Sequence, residues 1–475
     1  MSSHPMSQGS YARRPKSLFG ALAMIGLLAV GCAGLRATNP PLEQIDPHSG
    51  YRPQRVVGSR HIGDVALLLS FSGGGTRASA LAYGVLEELR DTAISVEGER
   101  KRLLDEVDVI TSVSGGSFTS AYYGLYGDRI FEDFDERFLK RAVSRDLVLR
   151  MLLPHNLVRL IFPFFDRTQL AIGYYDKKIF DGARFADLAE AGGPWIQINS
   201  TDLSVGAPFT FVQPQFDLIC SDLSELKVAQ AVTASSAVPV VFPPIVLKNR
   251  AGSCGYQAPE WLEGALASRK QSPRRYHIAS EMSAYRDRDA LPYLHLVDGG
   301  IADNLGLRGP LDSVVVEGGL LKRLKDIGVE RRPRHLAFVV VDASTNPDHS
   351  FVTRPSVPSL AALIGSVSDT QLHRYNFETL ELLRDNMERW AGQLGRDGKP
   401  LKTHLIEVAE YRIDDPEERD FFDGVPTSLG LDGETVDRLV EIGRRLLREA
   451  EAFQSLVAEL RARPRLPESG PGDAR

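Results

Sequence analysis

The sequence predicts an α/β fold with a central, mostly parallel sheet, helices on both faces of the sheet and further helices near the carboxyl end. Near-continuous apolar runs such as Val65–Phe71 indicate strands that are buried on both faces. The next segment, residues 76–90, instead places its apolar residues along one helical stripe. Strands that alternate with helices in this way favour a parallel sheet covered by helices.

The same patterns place the remaining elements in chain order. Strands are predicted at residues 107–111, 195–200, 209–212, 293–297 and 336–341, and helices after Ser114 and at residues 226–233, 359–394 and 433–461. Residues 140–178 are very apolar without a steady period, which fits either a packed crossover in the core or a cap or acyl-chain groove over a site. Residues 250–290 are polar and irregular, and we expect a surface excursion there.

Composition sets limits on the class of protein. The chain has 475 residues, of which 43% are hydrophobic and 25% charged, as is usual for a globular protein. This length supports one large core or two domains. The formal net charge of −6 gives no basic excess, so we expect no nucleic-acid partner.

The amino terminus has the features of an export signal. Arg13, Arg14 and Lys16 precede an apolar run at residues 18–30, which is short for a transmembrane helix. The run ends in Leu-Ala-Val-Gly-Cys, which resembles a bacterial lipobox, and the resemblance implies that Cys32 is lipidated and becomes the mature amino terminus. Ala33 after it, rather than Asp, favours the outer membrane, on its periplasmic or surface face. The alternative is a free Cys32 in an uncleaved apolar anchor.

These features divide the chain into five parts. We predict a signal peptide at residues 1–31, a Pro-rich tether at 32–60, a catalytic domain at 61–345, a mainly helical region packed on it at 346–462 and a disordered tail at 463–475. Cys220 and Cys254 fit no zinc site by their spacing, and either form a disulfide in an oxidising compartment or remain two separate buried thiols.

Ser114 has the sequence context of a catalytic serine. A β-branched strand runs into Ile-Thr-Ser-Val-Ser-Gly-Gly-Ser-Phe at residues 110–118, and a helix is predicted from about Gly116. Strand, sharp turn and helix form the nucleophile elbow, which needs small residues two before and two after the nucleophile. Those positions hold Ser112 and Gly116, so the side chain of Ser112 must fit where the elbow usually has glycine. The alternative is a serine that only caps a helix.

A glycine-rich turn and an Asp-Gly-Gly turn add two further signals. Gly73, Gly74, Gly75 and Arg77 lie between a strand and a helix, where backbone N–H groups and the helix dipole favour an anion. The turn lacks the Lys-Ser/Thr pair of a phosphate loop and does not match a dinucleotide fingerprint. Asp298 follows the strand at 293–297, and we expect it at the carboxyl edge of the sheet, where α/β proteins place their sites. Each turn taken alone is also common structural chemistry.

In this order the three elements resemble the patatin-like phospholipase family. The resemblance covers residues 61–309 and extends more weakly to about 343, and it includes the stretches at 199–203 and 234–244. It implies a three-layer fold and a lipid acyl hydrolase that needs no metal or cofactor and acts on phospholipids or other lipid esters. It also implies that Ser114 is the nucleophile, Asp298 its base, and Gly73, Gly74, Gly75 and Arg77 the oxyanion site. Arg77 alternatively binds a lipid phosphate or serves structure through an ion pair.

Two other readings of the same residues stay open. A Ser-His-Asp hydrolase would need a late histidine, and the sequence offers His335, His349, His373 and His404, none in a local pattern that recommends it. A lipid-binding or scaffold lipoprotein could also use a hydrolase fold with little turnover. Protein partners, lipid head group and acyl length are not encoded in any pattern we recognise.

Overall fold

The computed structural model describes residues 37, 39–58, 62–96, 99–159, 166–239, 241–329, 332–345, 360–395 and 399–461. The described residues form ten strands: β1 Val65–Phe71, β2 Ala93–Val96, β3 Glu99–Arg102, β4 Val107–Val113, β5 Trp195–Asp202, β6 Ala207–Thr210, β7 Ile245–Lys248, β8 Tyr293–Asp298, β9 His335–Asp342 and β10 Lys402–Ala409. The predicted lipidation site Cys32, the signal peptide and the tail lie outside the described residues.

Helices surround these strands. They are α1 Pro53–Val56, α2 Gly75–Asp91, α3 Gly115–Tyr126, α4 Ile130–Phe134, α5 Val143–Met151, α6 Pro154–Arg159, α7 Arg167–Lys178, α8 Phe185–Glu190, α9 Gln213–Leu218, α10 Val228–Ser235, α11 Glu260–Ala267, α12 Pro273–Tyr285, α13 Gly300–Asp303, α14 Arg308–Glu317, α15 Leu320–Asp326, α16 Leu360–Gln393, α17 Pro416–Asp423, α18 Gly433–Glu449 and α19 Glu451–Arg461. Within the described parts of the chain, no helix combines the length and apolar composition needed to cross a membrane.

The central sheet confirms the predicted fold class. Its strand order is β10-β9-β1-β4-β5-β8-β7, with β6 paired to β5. The first five strands of this order are parallel, and every residue of β4 and β9 is buried, as strands covered on both faces require. The strands β6 and β8 run antiparallel to β5. β4 lies between β1 and β5, so the residue that follows it emerges at the middle of the sheet.

The carboxyl-terminal region is part of this architecture rather than a purely helical addition. β10 extends the parallel sheet at its edge, which the sequence analysis did not predict. α18 crosses α2 so closely that a side-chain carbon on Gly84 would lie 2.1 Å from the carbonyl oxygen of Val440. The predicted helix at 433–461 is two helices, because Ala450 between them has extended backbone angles.

Residues 39–58 differ from the predicted free tether, because they pack against the domain. Tyr51 is fully buried, and its hydroxyl accepts a 2.7 Å hydrogen bond from the N–H of Ile196. Arg52 forms a buried ion pair with Asp217 at 2.7 Å. The Asn39 side chain donates to Ser221 Oγ at 3.1 Å. Prolines interrupt regular structure here but do not prevent packing.

The structure also defines residues 250–290, the pairing of the two later cysteines and residues 140–178. Residues 250–290 are not irregular throughout, since they contain α11 and α12, which share a small apolar cluster of Leu262, Ala265 and Ala279. Cys220 and Cys254, left open above, are joined in a disulfide with a Cα–Cα distance of 5.5 Å. The described part of the segment at 140–178 is mostly helical, and six of its large apolar side chains are exposed.

Candidate active site

Ser114 lies in a strained turn between β4 and α3. Its backbone angles are φ 49° and ψ −118°, a region that non-glycine residues rarely adopt and that is held by the surrounding structure. The turn presses α3 against the start of α2, because a side-chain carbon on Gly115 would lie 2.0 Å from the carbonyl oxygen of Gly75. Strand, strained turn and helix therefore have the geometry of a nucleophile elbow.

Ser112 fits in the elbow despite its extra atoms. The side chain is fully buried, and its hydroxyl donates to the carbonyl oxygen of Gln197 at 3.2 Å. The same hydroxyl accepts a 2.6 Å hydrogen bond from Ser120 Oγ. A buried hydroxyl with both kinds of partner costs little, so the position that usually holds glycine is satisfied here by a polar pair.

Asp298 contacts the candidate nucleophile directly. Ser114 Oγ donates a 2.8 Å hydrogen bond to Asp298 Oδ2, and the N–H of Gly300 donates to Oδ1 at 2.8 Å. The backbone N–H of Asp298 is held by the carbonyl oxygen of Ala237 at 3.0 Å. Asp298 is the last residue of β8, which runs antiparallel to β5. The pairing of Asp298 with Ser200 nevertheless brings it level with the end of β4.

Burial gives Asp298 the properties of a general base. Desolvation raises the pKa of this carboxyl group to about 6, and the hydrogen bonds from Gly300 and Ser114 only partly oppose the rise. A carboxylate with its ordinary pKa near 4 would be a weak proton acceptor at neutral pH. The raised pKa makes Asp298 a better match to proton transfer from a serine hydroxyl.

Ser235, at the end of α10, fixes the backbone of Ser114. Its hydroxyl accepts a 2.8 Å hydrogen bond from the N–H of Ser114 and donates to the carbonyl oxygen of Asn199 at 2.5 Å. Its own carbonyl oxygen accepts the N–H of Gly299 at 3.1 Å, so one residue ties the serine turn to the Asp-Gly-Gly turn. The sequence analysis included Ser235 only as part of a family-like stretch and gave it no role.

The three glycines of the glycine-rich turn differ in whether their backbone N–H groups already have a hydrogen-bond acceptor. The N–H of Gly73 already donates to the carbonyl oxygen of Asn304 at 3.2 Å. Among the described residues, the N–H groups of Gly74 and Gly75 have no hydrogen-bond acceptor, and both lie at the amino-terminal end of α2. Gly73 packs against Ser114 instead, since a side-chain carbon on Gly73 would lie 3.3 Å from Ser114 Cβ.

The contacts of Arg77 are those of a residue that holds the structure together, which was one of the alternatives above, and not those of an oxyanion ligand. Its side chain is buried, and its guanidinium donates to the carbonyl oxygen of Ala343 at 2.6 and 3.0 Å and to that of Val425 at 2.5 Å. Glu410 lies 3.7 Å from the guanidinium. Arg77 therefore joins the first turn of α2 to the end of β9 and to the segment before α18.

The described late histidines do not contact Asp298. His335 is the first residue of β9, and the site lies beside the last residues of that strand, because the N–H of Ser72 donates to the carbonyl oxygen of Val341. His335 and His404 pair with each other at 3.2 Å. His373 lies on α16, where its charge acts on Asp342. His349 lies outside the described residues. Asp342 itself accepts from the N–H and hydroxyl of Ser344, which is a turn role.

A surface cleft of about 520 Å³ lies at the far end of α3, lined by residues that include Leu125, Tyr126, Arg129 and Asp181. It contains neither Ser114 nor Asp298. The position of Ser114, rather than the size of a cleft, therefore marks the candidate active site.

Comparison with known proteins agrees with this geometry. The family model "Patatin-like phospholipase" matches residues 69–311, which include the glycine-rich turn, Ser114 and Asp298. The chain belongs to the patatin-like phospholipase family.

Solved structures of low sequence identity are also similar. Human GIVD cytosolic phospholipase A2 is 13% identical, with 86% of this chain and 65% of that chain covered and a TM-score of 0.44. The same human protein in complex with methyl gamma-linolenyl fluorophosphonate gives 13% identity, coverage of 86% and 62%, and a TM-score of 0.39. VipD from Legionella pneumophila is 12% identical over 91% of this chain and 73% of that chain, with a TM-score of 0.30. The chain thus spans just under two thirds of the human enzyme's length. No curated protein sequence matches it.

Proposed function

We propose that this protein is a serine acyl hydrolase that cleaves phospholipids or other lipid esters with Ser114 as nucleophile and Asp298 as general base. The observation that supports this most is the 2.8 Å hydrogen bond from Ser114 Oγ to a buried carboxylate, made from a strained elbow. Membership in the patatin-like phospholipase family supports lipid acyl hydrolysis in general.

The proposed reaction has two stages. Asp298 takes the proton of Ser114 as Oγ attacks the ester carbonyl carbon, and the protonated carboxyl then returns that proton to the departing alcohol. Water, deprotonated by Asp298, next attacks the carbonyl carbon of the acyl-serine. The bond from that carbon to Ser114 Oγ breaks, and the protonated Asp298 returns its proton to Oγ, which releases the fatty acid and regenerates Ser114 and the carboxylate. Through both stages the N–H groups of Gly74 and Gly75 are the proposed donors to the oxyanion, where one donor contributes about 2.7–4 kcal/mol.

Active-site labelling with a fluorophosphonate probe tests this assignment. The wild type should be labelled, Ser114→Ala should not, and Asp298→Asn should react about 10²–10⁴-fold more slowly because its base is gone. Asp303→Asn is a matched control, since Asp303 is also buried with a pKa raised to about 6 but accepts from the N–H of Arg308. It should label like the wild type.

Labelling that persists in Ser114→Ala would contradict the assignment. Full reactivity of Asp298→Asn, together with loss of reactivity on substitution of a late histidine, would favour a Ser-His-Asp mechanism. An unlabelled wild type would favour a lipid-binding or scaffold protein.

We also propose that the mature protein is anchored in the outer membrane by lipid on Cys32. The lipobox-like sequence supports this location, and the Cys220–Cys254 disulfide is typical of an oxidising compartment. Mass spectrometry of the mature amino terminus should find a lipidated Cys32. A Cys32→Ser protein should fail to be processed and lipidated, and an unmodified Cys32 in the wild type would refute the anchor.

A further inference from the structure

Six large apolar side chains form an exposed surface on α5, α6 and the residues that join them. We call this surface the apolar ridge, and its members are Val148, Leu149, Leu152, Leu153, Leu157 and Val158. Each of them is between 44% and 56% exposed. Single exposed apolar residues are ordinary on protein surfaces. Six of them within eleven consecutive positions instead indicate a surface that binds a membrane or another protein.

The amino-terminal end of α5 lies close to the glycine-rich turn. The N–H of Ser144 donates to the carbonyl oxygen of Leu429 at 2.7 Å, and the neighbouring Ser428 accepts the N–H of Thr76 at 2.8 Å. A side-chain carbon on Gly75 would lie 2.4 Å from that same Ser428 oxygen. One short segment therefore connects the proposed oxyanion site with the helix that begins the ridge.

A second connection lies on the side of Asp298. Thr168, in the first turn of α7, donates through its hydroxyl to the carbonyl oxygen of Pro243 at 2.7 Å. Pro243 ends the segment that follows Ala237, the residue that holds the backbone of Asp298, and Val238 and Val241 in this segment are exposed. Ile301, three residues after Asp298, is exposed as well. Exposed apolar residues thus also lie beside Asp298, on segments that are linked through α7 to α5, since Tyr174 of α7 donates to Asp146 of α5 at 2.7 Å.

The charge of the ridge segment is opposite to that of the whole chain. Residues 140–159 contain five basic residues and one acidic residue, in a chain whose net charge is −6. Lys140 and Arg141 form ion pairs with Asp135, Asp437 and Asp146, so within the described residues the basic side chains of α5 that lack such an ion pair are Arg145 and Arg150. Arg145 is exposed on α5, and Arg150 lies over the ring of Tyr174 at 4.9 Å. Helices that lie in a membrane interface combine an apolar face with Lys and Arg in this manner, and anionic lipids add an attraction for each basic residue near the surface.

We propose that the apolar ridge docks onto an anionic lipid surface and turns the mouth of the active site toward it. The local basic excess favours lipid head groups over a second copy of this chain, whose net charge is only modestly negative and whose ridge is itself basic. The proposal extends the lipid hydrolysis proposed above, but docking can be measured without catalysis. Failure of one is therefore distinguishable from failure of the other.

A pair of exposed leucines provides the test. Leu152 on the ridge is 56% exposed, and Leu203 in the turn after β5 is 52% exposed. In the full-length, processed Ser114→Ala protein, each is changed to Cys in turn and labelled with an environment-sensitive fluorophore. Vesicles of phosphatidylcholine mixed with phosphatidylglycerol are then added, with spin-labelled lipid as quencher.

The label at position 152 should brighten several-fold, be quenched by the spin-labelled lipid and respond less in vesicles of phosphatidylcholine alone. The label at position 203, which lies outside the ridge, should respond much less. Equal responses at both positions, or a response that ignores phosphatidylglycerol, would overturn the proposal. A response at 152 that follows protein concentration without vesicles would instead assign the ridge to self-association.

A second measurement tests the consequence for substrate access. In the otherwise wild-type protein, Leu149→Ser, Leu152→Ser and Val158→Ser together should lower hydrolysis of vesicle phospholipid at least about tenfold, because three aliphatic groups no longer enter the interface. Leu203→Ser should leave it unchanged. Unaltered thermal unfolding confirms that the triple variant is folded, and equal hydrolysis by both variants would refute a docking role.

Discussion

Replacing Asp298 by Asn should make this protein more stable while it removes activity. The carboxyl group is buried, and its pKa rises from 3.8 to about 6 on folding, chiefly through desolvation. A folded-state pKa above the unfolded value means that the native state binds the proton more tightly. Ionisation of Asp298 therefore costs stability, and the cost develops as pH rises from the unfolded pKa to the folded one.

The structure gives the size of this effect. A shift of roughly two pKa units corresponds to about 3 kcal/mol, present in full above the folded pKa. Linkage reduces the cost to roughly half of this at pH 5, where most of the native carboxyl is protonated. Asn carries no charge at either pH, and its side-chain oxygen can still accept the N–H of Gly300.

Urea unfolding of wild type and Asp298→Asn, with the disulfide intact, measures the difference. The variant should be about 3 kcal/mol more stable at pH 8 and about half as much more stable at pH 5. Asp303→Asn should show a similar pH-dependent gain and keep its reaction with fluorophosphonate, which separates the stability effect from the catalytic one. Equal stability of Asp298→Asn and wild type at pH 8, or a difference that does not change with pH, would refute the view that burial of this charge is what raises its pKa.

Three further changes have defined outcomes. With a soluble short-chain ester, kcat/KM should fall about tenfold per pH unit below about 6, since only the ionised Asp298 accepts the serine proton; a rate that is flat down to pH 5 would contradict this. Gly115→Ala should destabilise the protein by about 3 kcal/mol or more, because the new methyl carbon would lie 2.0 Å from the carbonyl oxygen of Gly75. Gly173→Ala is the control: it has open space around it, so it should change stability by less than about 1 kcal/mol. Arg77→Ala should cost about 2–5 kcal/mol of stability, because the buried carbonyl groups of Ala343 and Val425 lose their donor. The protein that remains folded should still react with fluorophosphonate. Loss of labelling without loss of stability would instead support a direct role of Arg77 at the oxyanion.

Local sequence patterns identified the parts of the site but not the contacts that assemble them. Ser114 and the glycine-rich turn could be found because each follows a buried strand, and parallel neighbours bring such turns to one edge. The apolar run that ends at Asp298 gave no sign that its strand is antiparallel, because burial imposes the same composition in either direction. The role of Ser235 depends on hydrogen bonds across more than a hundred positions, which no local period encodes.

The sequence was least informative where packing depends on distant partners. Residues 402–409 show no regular alternation of apolar and polar residues, and only their pairing with β9 makes them an edge of the main sheet. The many prolines of residues 39–58 suggested a free tether, although Tyr51 there is fully buried. Arg77 fits an anion site by position, but its partners come from segments more than 250 residues away.

The packing of the amino-terminal segment also limits how far the folded domain can lie from Cys32. Asn39 is held to Ser221 and Lys248, and only six residues lie between Cys32 and Asn39. If Cys32 carries the proposed lipid, the fully extended chain from Cys32 to Asn39 spans at most about 25 Å. Such a protein cannot swing across to an opposing bilayer. It can reach only lipids of the leaflet that holds its own anchor. The membrane area that it can reach is therefore set by diffusion of the anchor in that leaflet and not by the length of the linking chain.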